Sequence, residues 1–324
     1  RDNFQNWLST LPQITSGVNV TRVEVYILNR SNDTQTLRDV IGFMDLGETN
    51  KAYRKNLYVS NRPDGSATNN ANNDLYSRLL ALGDKRSDNI NTQLENLYAP
   101  GAYVNGTDFE KITSARKLAP TEFTYHKELG YITLQRKLQN DEAVAVAYEY
   151  TYNGVPHKVG ELSEDYSNRG EKDVVFLKML RPRKIAVKDN FGRILPTWNL
   201  MMKNIYNLSV TQLQREGFQL RIIYRDDRTG IDNPQLQDGD YSRTVQLIQA
   251  LGLDRLNPYN DPQPDGNFDY VEKATINSET GLIIFPFLEP FSKGLDSLLF
   301  KKETNENTRQ FLRQKYLYDT LYHT

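Results

Sequence analysis

The chain has 324 residues, more than one hydrophobic core usually serves, so two or three domains are expected at ~100 to 200 residues each. Its 40 basic and 41 acidic residues leave a net charge of −1, which supplies no general field toward nucleic acid or an anionic membrane. It contains no cysteine, which excludes disulfide, thiolate and thiolate-zinc chemistry, and no run approaches the ~18 apolar residues of a transmembrane helix. The sequence starts at Arg1 with neither an initiator Met nor a signal region, so a processed protein or a piece of a longer one is expected. Tyrosine far outnumbers tryptophan, 20 to 2, and Asn-rich polar runs recur, a mixture that suits β-rich surfaces facing water or glycans.

In chain order, the first predicted elements are strands. Apolar residues alternate at Val18 and Val20, at Val23, Val25 and Ile27 in VTRVEVYIL, and again from Val40 to Met44, around the polar connection RSNDTQT. Met44 to Ala71 is loop-rich, and the Asn-rich run from Pro63 to Asn73 has too little apolar content to bury and reads as mobile. Helices follow. Asp74 is placed to cap one that carries Leu75, Leu79, Leu80 and Leu82, Gly83 ends it, and a second from about Asp88 to Tyr98 carries Ile90, Leu94 and Leu97 on one face. A third, shorter helix is predicted near Asp108 to Leu118.

Between Glu142 and Tyr152, EAVAVAYEYTY sets Val144, Val146, Tyr148, Tyr150 and Tyr152 on one strand face and Ala143, Ala145 and Ala147 on the other. A membrane barrel needs at least ~8 such strands, so a central strand of a water-facing sheet is predicted. Tyr152-Asn153-Gly154-Val155 reads as a two-residue hairpin turn into a strand from Val155 to Leu162, and the polar run Ser163 to Lys172 as a linker. A strand over Asp173 to Leu180 leads to a basic cluster, Arg181, Arg183 and Lys184, which reads as a solvated rim. Thr197 is placed to cap a helix with Trp198, Leu200, Met201 and Ile205 along one side; Phe218 to Tyr224 is a strand and Ser242 to Leu251 a helix. Thr308 to Tyr322 is amphipathic, with Phe311, Leu312, Tyr316 and Leu317 at helical spacing, and is expected to dock on the body or on a neighbour. Together these elements predict an α+β fold, predominantly antiparallel β-sheets with short packed helices, in a multi-domain fragment. Composition shifts place an N-terminal α+β region at 1–116, a β-hairpin module at 117–170 and a C-terminal α+β region at 171–324.

An internal repeat ties distant segments together. Phe123 to Leu134, FTYHKELGYITL, aligns without gaps on Ala274 to Phe285, ATINSETGLIIF, matching Thr124 with Thr275, Glu128 with Glu279, Gly130 with Gly281 and Ile132 with Ile283. Both copies read as strand, short polar turn with Gly, and strand. Just before the second copy, oxygen-bearing side chains fall at the spacing of an EF-hand-like calcium loop: Asp261, Gln263, Asp265 and Asp269, with Gly266 at the turn and Glu272 last. Pro262 and Pro264 stiffen the loop, and no exiting helix follows Glu272, so the same stretch also reads as an Asp/Pro/Gly turn that needs no ion. Calcium is therefore the one candidate cofactor.

Catalytic patterns are missing. The sequence holds no nucleophile elbow, Walker loop, dinucleotide fingerprint or paired-His metal helix. His126, His157 and His323 lie in a hairpin turn, a strand and the C-terminus, each without a partner nearby in sequence, and read as structural or surface residues. The acidic pairs Glu164/Asp165 and Asp226/Asp227 sit in polar loops where adjacent acids are commonplace, although glycosidase chemistry does use two carboxylates. No enzyme is expected.

Longer segments carry a family resemblance. LGLDRLNPYNDPQPDGNFDY with GLIIFPFLEPF, LPTWNLMMKNIYNL (Leu195 to Leu208), GYITLQRKLQNDEAVAVAYEYTYNGVPHKVGEL (Gly130 to Leu162) and the opening FQNWLSTLPQITSGVNVTRVEVYILN together resemble the SprA (Sov) family. These are giant outer-membrane proteins of type IX secretion and gliding motility in the Bacteroidetes. The likeness spans essentially the whole chain, while the family's many barrel strands have no counterpart in it. The resemblance implies a soluble region, on the extracellular cap side of the outer membrane at the cell surface, of a β-barrel translocon that exports folded proteins. The partners it implies are the rest of the barrel, secreted cargo, a partner outer-membrane barrel and plug proteins, and it supplies no catalytic residues. The alternative from the residues alone is a calcium-stabilised cell-surface module that binds glycan or protein.

Overall fold

Alternating small and large side chains along one strand shape the first half of the molecule. The computed structural model describes residues 4, 10–14, 16–28, 37–49, 51–61, 67–83, 89–127, 129–170 and 173–323. Two units divide the chain: Ser16–Met201, and a second in which Arg1–Thr15 joins Met202–Thr324. In the first, strands β1 (Val18–Leu28), β2 (Arg38–Phe43), β3 (Phe109–Lys117), β6 (Val144–Tyr152), β7 (Val155–Val159) and β8 (Val175–Arg181) form one sheet; β4 (Phe123–His126) and β5 (Tyr131–Leu134) form a separate hairpin. The strand order is β1-β3-β2-β8-β6-β7, and β1 also pairs with β6 from Val18 to Ile27. Five strands thus close into a ring, with β7 hanging from β6 outside it. Every pairing is antiparallel except β2 with β8.

A ring of so few strands has a narrow interior. Ala143, Ala145 and Ala147 of the predicted small face fill it beside Tyr26, Val40, Ile112, Ala115, Val175 and Leu177. At Gly42 the interior is tight, since a Cβ there would lie 3.2 Å from that of Met179 and 3.5 Å from that of Ala145. The large face looks outward and is covered in two places. Val25, Ile27, Val144 and Val146 pack under Phe123, Ile132 and Leu134 of the β4–β5 hairpin. Ile41, Phe43, Phe109 and Phe176 pack under Leu75 and Leu79 of helix Leu75–Ala81 and under Ile90 and Leu94 of helix Ile90–Glu95. Asn153 and Gly154, at φ 49° and 80°, make the expected two-residue turn between β6 and β7.

Several expectations are corrected here. The helix predicted near Asp108 to Leu118 is strand β3. Its register against β2 slips between Val40↔Ile112 and Arg38↔Ala115, and Ser114 takes φ 54°, so a bulge puts Ile112 and Ala115 on the same inner face three residues apart. That spacing imitates a helix. The stretch from Ser163 to 170 is no linker: Tyr166 is buried inside the ring, and Ser163 donates its backbone N–H to Glu24 at 3.0 Å. The divisions expected at residues 116 and 170 fall within this unit, because β6 and β8 belong to the same ring as β1 to β3. Part of the run expected to be mobile is held by hydrogen bonds, with the side chain of the buried Asn72 donating to the carbonyls of Gly47 at 2.9 Å and Ala67 at 2.8 Å. The remainder of that run (63–66), the RSNDTQT connection, Asp88 and Glu128 lie outside the described residues.

The second unit has smaller sheets. Strands β9 (Ile205–Asn207), β12 (Ile276–Asn277) and β13 (Leu282–Ile284) form one sheet in the order β12-β13-β9, and β10 (Tyr224–Arg225) pairs with β11 (Asp232–Asn233). Their core joins Leu247, Ile248, Leu251, Leu253, Ile276 and Ile283 to Leu299, Phe300, Leu312 and Tyr316. The C-terminal amphipathic segment docks here, in two pieces. Helix Glu306–Tyr316, capped by the Asn305 side chain, buries Leu312 and Tyr316 but leaves Phe311 half exposed, and helix Thr320–His323 follows. Ile205 is strand rather than helix, since helix Pro196–Leu200 ends where Met201 turns extended. Thr197 lies inside that helix, and Leu195 occupies the cap position. The helix expected over Ser242 to Leu251 is a 3-10 turn, Ser242–Thr244, and a short helix, Leu247–Ala250.

The repeat is a structural one. β4–β5 pairs His126 with Tyr131 and Tyr125 with Ile132; β12–β13 pairs Asn277 with Leu282 and Ile276 with Ile283, which is the same register under the sequence alignment. Gly130 and Gly281 both sit at φ 67°, so the shared glycine closes each loop in a conformation that other residues adopt at a cost.

Candidate interaction surface

The predicted calcium loop folds around two acids, one of them outside the motif. Asp254, buried beneath the loop, accepts the backbone N–H of Asp265 at 2.9 Å and of Gly266 at 3.0 Å. Asp269, also buried, accepts those of Arg255 at 2.7 Å and Leu256 at 3.1 Å. Burial pushes the Asp269 carboxyl up to about 6, against the pull of those two N–H groups and helped by the charges of Asp254 and Asp265. The other motif residues are occupied locally. Asp261 faces Asn257 at 3.2 Å, Asp265 accepts from Asn267 N–H at 2.8 Å, Glu272 accepts from Ser278 N–H at 3.1 Å, and Gln263 contributes its backbone N–H to the Asp261 carbonyl at 2.7 Å.

In this arrangement the carboxylates are engaged as the turn reading has them. A calcium loop turns six or more oxygens toward one point, whereas here the carboxylates hold separate backbone turns. Among the described residues no group of three or more His, Asp or Glu side chains is arranged to hold a metal ion. The turn reading stands: Asn257 accepts the N–H groups of Tyr259 at 2.9 Å and Asp261 at 3.0 Å, and Tyr259 projects from the tip, 85% exposed. Asp254 is hard to find in the sequence because it sits inside an apolar run, LGLDRL, and its only signal is an acid amid residues otherwise bound for the core.

The first unit has a comparable brace and a cavity beside it. Asp45 follows β2 and is 4% exposed. It accepts the N–H of Tyr53 at 2.7 Å, the N–H of Arg54 at 2.8 Å and the Tyr58 hydroxyl at 2.8 Å. Burial raises its carboxyl above the usual range, opposed by the two backbone donors and by Lys178. Tyr103 donates in turn to the Tyr58 hydroxyl at 2.8 Å, and Arg54 forms a two-pronged pair with Asp108 at 2.8 Å. The loop so fixed lines a polar cavity of about 160 Å³ with Glu48, Lys55, Asn56, Tyr58 and Asn73 among its walls. A cavity of that size admits one small polar group such as a sugar ring.

A second exposed aromatic is also preorganised. Asp189 accepts the N–H groups of Phe191 at 2.9 Å and Arg193 at 2.8 Å, and Phe191 stands 82% exposed at the resulting tip. The Arg193 guanidinium lies over the Tyr53 ring at 4.8 Å, and the Tyr53 hydroxyl donates to Asp189.

The remaining sequence candidates each have local contacts. His126 stacks on Tyr131 with ring centres 4.1 Å apart and His157 on Tyr150 at 5.1 Å, while His323 lies 3.5 Å from Glu289. Glu164 and Asp165 face separate cations, Arg22 and Lys158, and Asp226 caps the turn at Arg228 and Thr229. In the basic cluster Arg183 pairs with the buried Glu110, and Arg181 donates to the Gln139 carbonyl at 3.2 Å. Among the described residues no helix is long and apolar enough to cross a membrane. The chain matches no protein-family model and no curated protein.

Proposed function

We propose that this chain is a water-facing region of a large outer-membrane β-barrel translocon that exports folded proteins by type IX secretion and supports gliding motility. In this reading it lies at the cell surface as part of the extracellular cap, and it works by contact with the rest of the barrel, passing cargo and the neighbouring barrel and plug proteins. It catalyses no reaction. The observation that carries the contact role is the pair of aromatic tips, Phe191 and Tyr259, each held in water by a turn that Asp189 or Asn257 fixes. Rigid exposed aromatics are the residues that protein interfaces use most, because they lose little conformational entropy on binding. The co-ordered resemblance to the SprA (Sov) family supplies the identity of the larger assembly. Buried acids support the same view, since Glu24, Asp45 and Glu303 are all committed to holding loops in place.

Deleting 16–323 from the full-length protein tests it. Loss of reporter-cargo export, or entry of a large antibiotic that the intact barrel excludes, is expected; normal export with an intact permeability barrier would refute the proposal. The polar cavity at Tyr58 favours a second reading as a glycan-binding module. A glycan array on which Asn56→Ala abolishes a signal would favour it, and a blank array removes it.

A further inference from the structure

One stretch of the second unit is built like a strand yet is paired only over its last two residues. From Gly217 to Arg225 exposure alternates residue by residue. Phe218, Leu220, Ile222 and Tyr224 pack on the core, and Gln219, Arg221, Ile223 and Arg225 face water. Aromatic contacts pin both ends: Phe218 meets Phe268 at 5.6 Å and Tyr270 at 5.5 Å, and Tyr224 meets Tyr316 at 5.2 Å. Pairing nevertheless covers only Tyr224↔Asn233 and Arg225↔Asp232. The next residue of the opposite strand is Pro234, which has no N–H to continue the ladder. The chain there turns away, with Pro234 accepting from Leu247 N–H at 2.8 Å and Gln235 bridging to Gln246. Among the described residues, Gln219 to Ile223 make no backbone hydrogen bond. A second extended backbone laid alongside would pair with these groups.

We propose that the open edge of Phe218–Ile223 receives an extended peptide strand from a partner protein, one that alternates apolar and polar residues and sets an acidic side chain beside Arg221. The alternation follows from geometry, because a strand laid along this edge directs every second side chain onto the same apolar core. The acid follows from charge. Residues 217–225 contain two arginines and no acid, and while Arg225 is paired with Asp232 at 2.6 Å, Arg221 makes no ion pair among the described residues. An opposite charge directly across a strand pair is favourable and a like charge is not. This inference does not depend on the translocon reading.

The probe is a labelled synthetic peptide alternating valine and threonine with a central glutamate, titrated against the full chain by fluorescence anisotropy. Saturable binding is expected. N-methylation of the peptide amides that would pair should weaken it at least tenfold, about 1.4 kcal/mol. A central lysine in the peptide, or Arg221→Glu in the protein, should weaken it several-fold, and the lysine peptide with the Arg221→Glu protein should restore it. In hydrogen exchange, the amides of Gln219 to Ile223 should exchange quickly in the free chain and become protected with peptide. No binding up to about 1 mM, or N-methylated peptide binding as well as its parent, overturns the proposal. Protection of those amides that grows with protein concentration alone assigns the edge to a second copy of the chain and also overturns it.

Discussion

Replacing Asp45 with alanine tests whether a single buried carboxylate holds the cavity loop. The substitution strands three donors, the backbone N–H groups of Tyr53 and Arg54 and the Tyr58 hydroxyl, each 2.7 or 2.8 Å from the carboxylate. A hydrogen bond to a charged acceptor contributes about 1.5–3 kcal/mol, so the gross loss for three is about 4.5–9 kcal/mol. Two effects reduce it. The variant no longer carries the desolvation of a carboxylate that is 4% exposed, and water from the adjoining cavity can reach the freed groups. The net expectation is about 3–4 kcal/mol, a large share of the 5–15 kcal/mol typical of a folded domain. Urea unfolding followed by circular dichroism at neutral pH reads the global loss, and hydrogen exchange at Tyr53 and Arg54 reads the local one. Asp45→Asn should fall between, because its amide oxygen still accepts one N–H while its NH2 group confronts another donor. A loss below about 1 kcal/mol with unchanged exchange at both amides would show that the loop is held by other contacts, and would refute the reasoning.

Other consequences are equally direct. Gly281→Ala should destabilise the second unit by about 3 kcal/mol or more, because φ is 67° and the new Cβ would lie 1.6 Å from the Val210 carbonyl oxygen. Gly154→Ala, at φ 80° with nothing within 4 Å, should cost only about 1–2 kcal/mol; equal thermal shifts for the two would contradict the clash. Because Asp269 sits near pKa 6 when folded, above its ordinary value, the folded state binds that proton more tightly and gains stability as pH falls through 6. The stability difference between the parent and Asp269→Asn should therefore widen in the parent's favour by about 1 kcal/mol from pH 7 to pH 5, and a constant difference in urea titrations would count against it. Added calcium should leave the melting midpoint where a chelator leaves it, since the loop acids already serve backbone turns; a rise of several degrees that Asp265→Ala abolishes would restore the ion.

How much of this fold is legible in the sequence depends on the range of the cause. The β6–β7 turn at Asn153-Gly154 and the two hairpins sharing Gly130 and Gly281 are set by local chemistry, because positive φ and two-residue alternation act within a dozen residues. Ring closure is illegible for the opposite reason. It depends on Val18–Ile27 meeting β6 across more than a hundred residues, and the small-faced strand indicates a tight interior without indicating which strands surround it. Strand β3 mimics a helix in its sequence because its bulge spaces Ile112 and Ala115 as a helix would. The calcium spacing is ambiguous in a related way: oxygen-bearing side chains at intervals of two to four residues suit a Pro/Gly-rich loop whose turns need side-chain acceptors as much as they suit an ion.

A second likeness shows how shared local chemistry can hide from residue matching. Tyr103-Val104 and Tyr270-Val271 open the same loop. The Val104 carbonyl accepts from Thr107 at 3.2 Å and Asp108 at 2.9 Å, and the Val271 carbonyl accepts from Ala274 at 3.1 Å and Thr275 at 2.9 Å. Gly106 donates to Phe109 at 2.7 Å as Lys273 does to Ile276 at 2.6 Å. A side-chain oxygen closes each loop onto the valine N–H, from Asp108 at 2.8 Å in one and from Thr275 Oγ1 at 3.0 Å in the other. The conformation survives a change of Gly to Lys at positive φ and of Asp to Thr at the closing oxygen, because it requires only an acceptor at that position and tolerance of one strained residue. In the first unit this loop feeds a strand of the ring and in the second a hairpin, so the same entry turn leads to different partners. The turn sets only the direction in which the chain leaves; the neighbouring strand, β2 for Phe109–Lys117 and β13 for Ile276–Asn277, decides the sheet that the chain then joins.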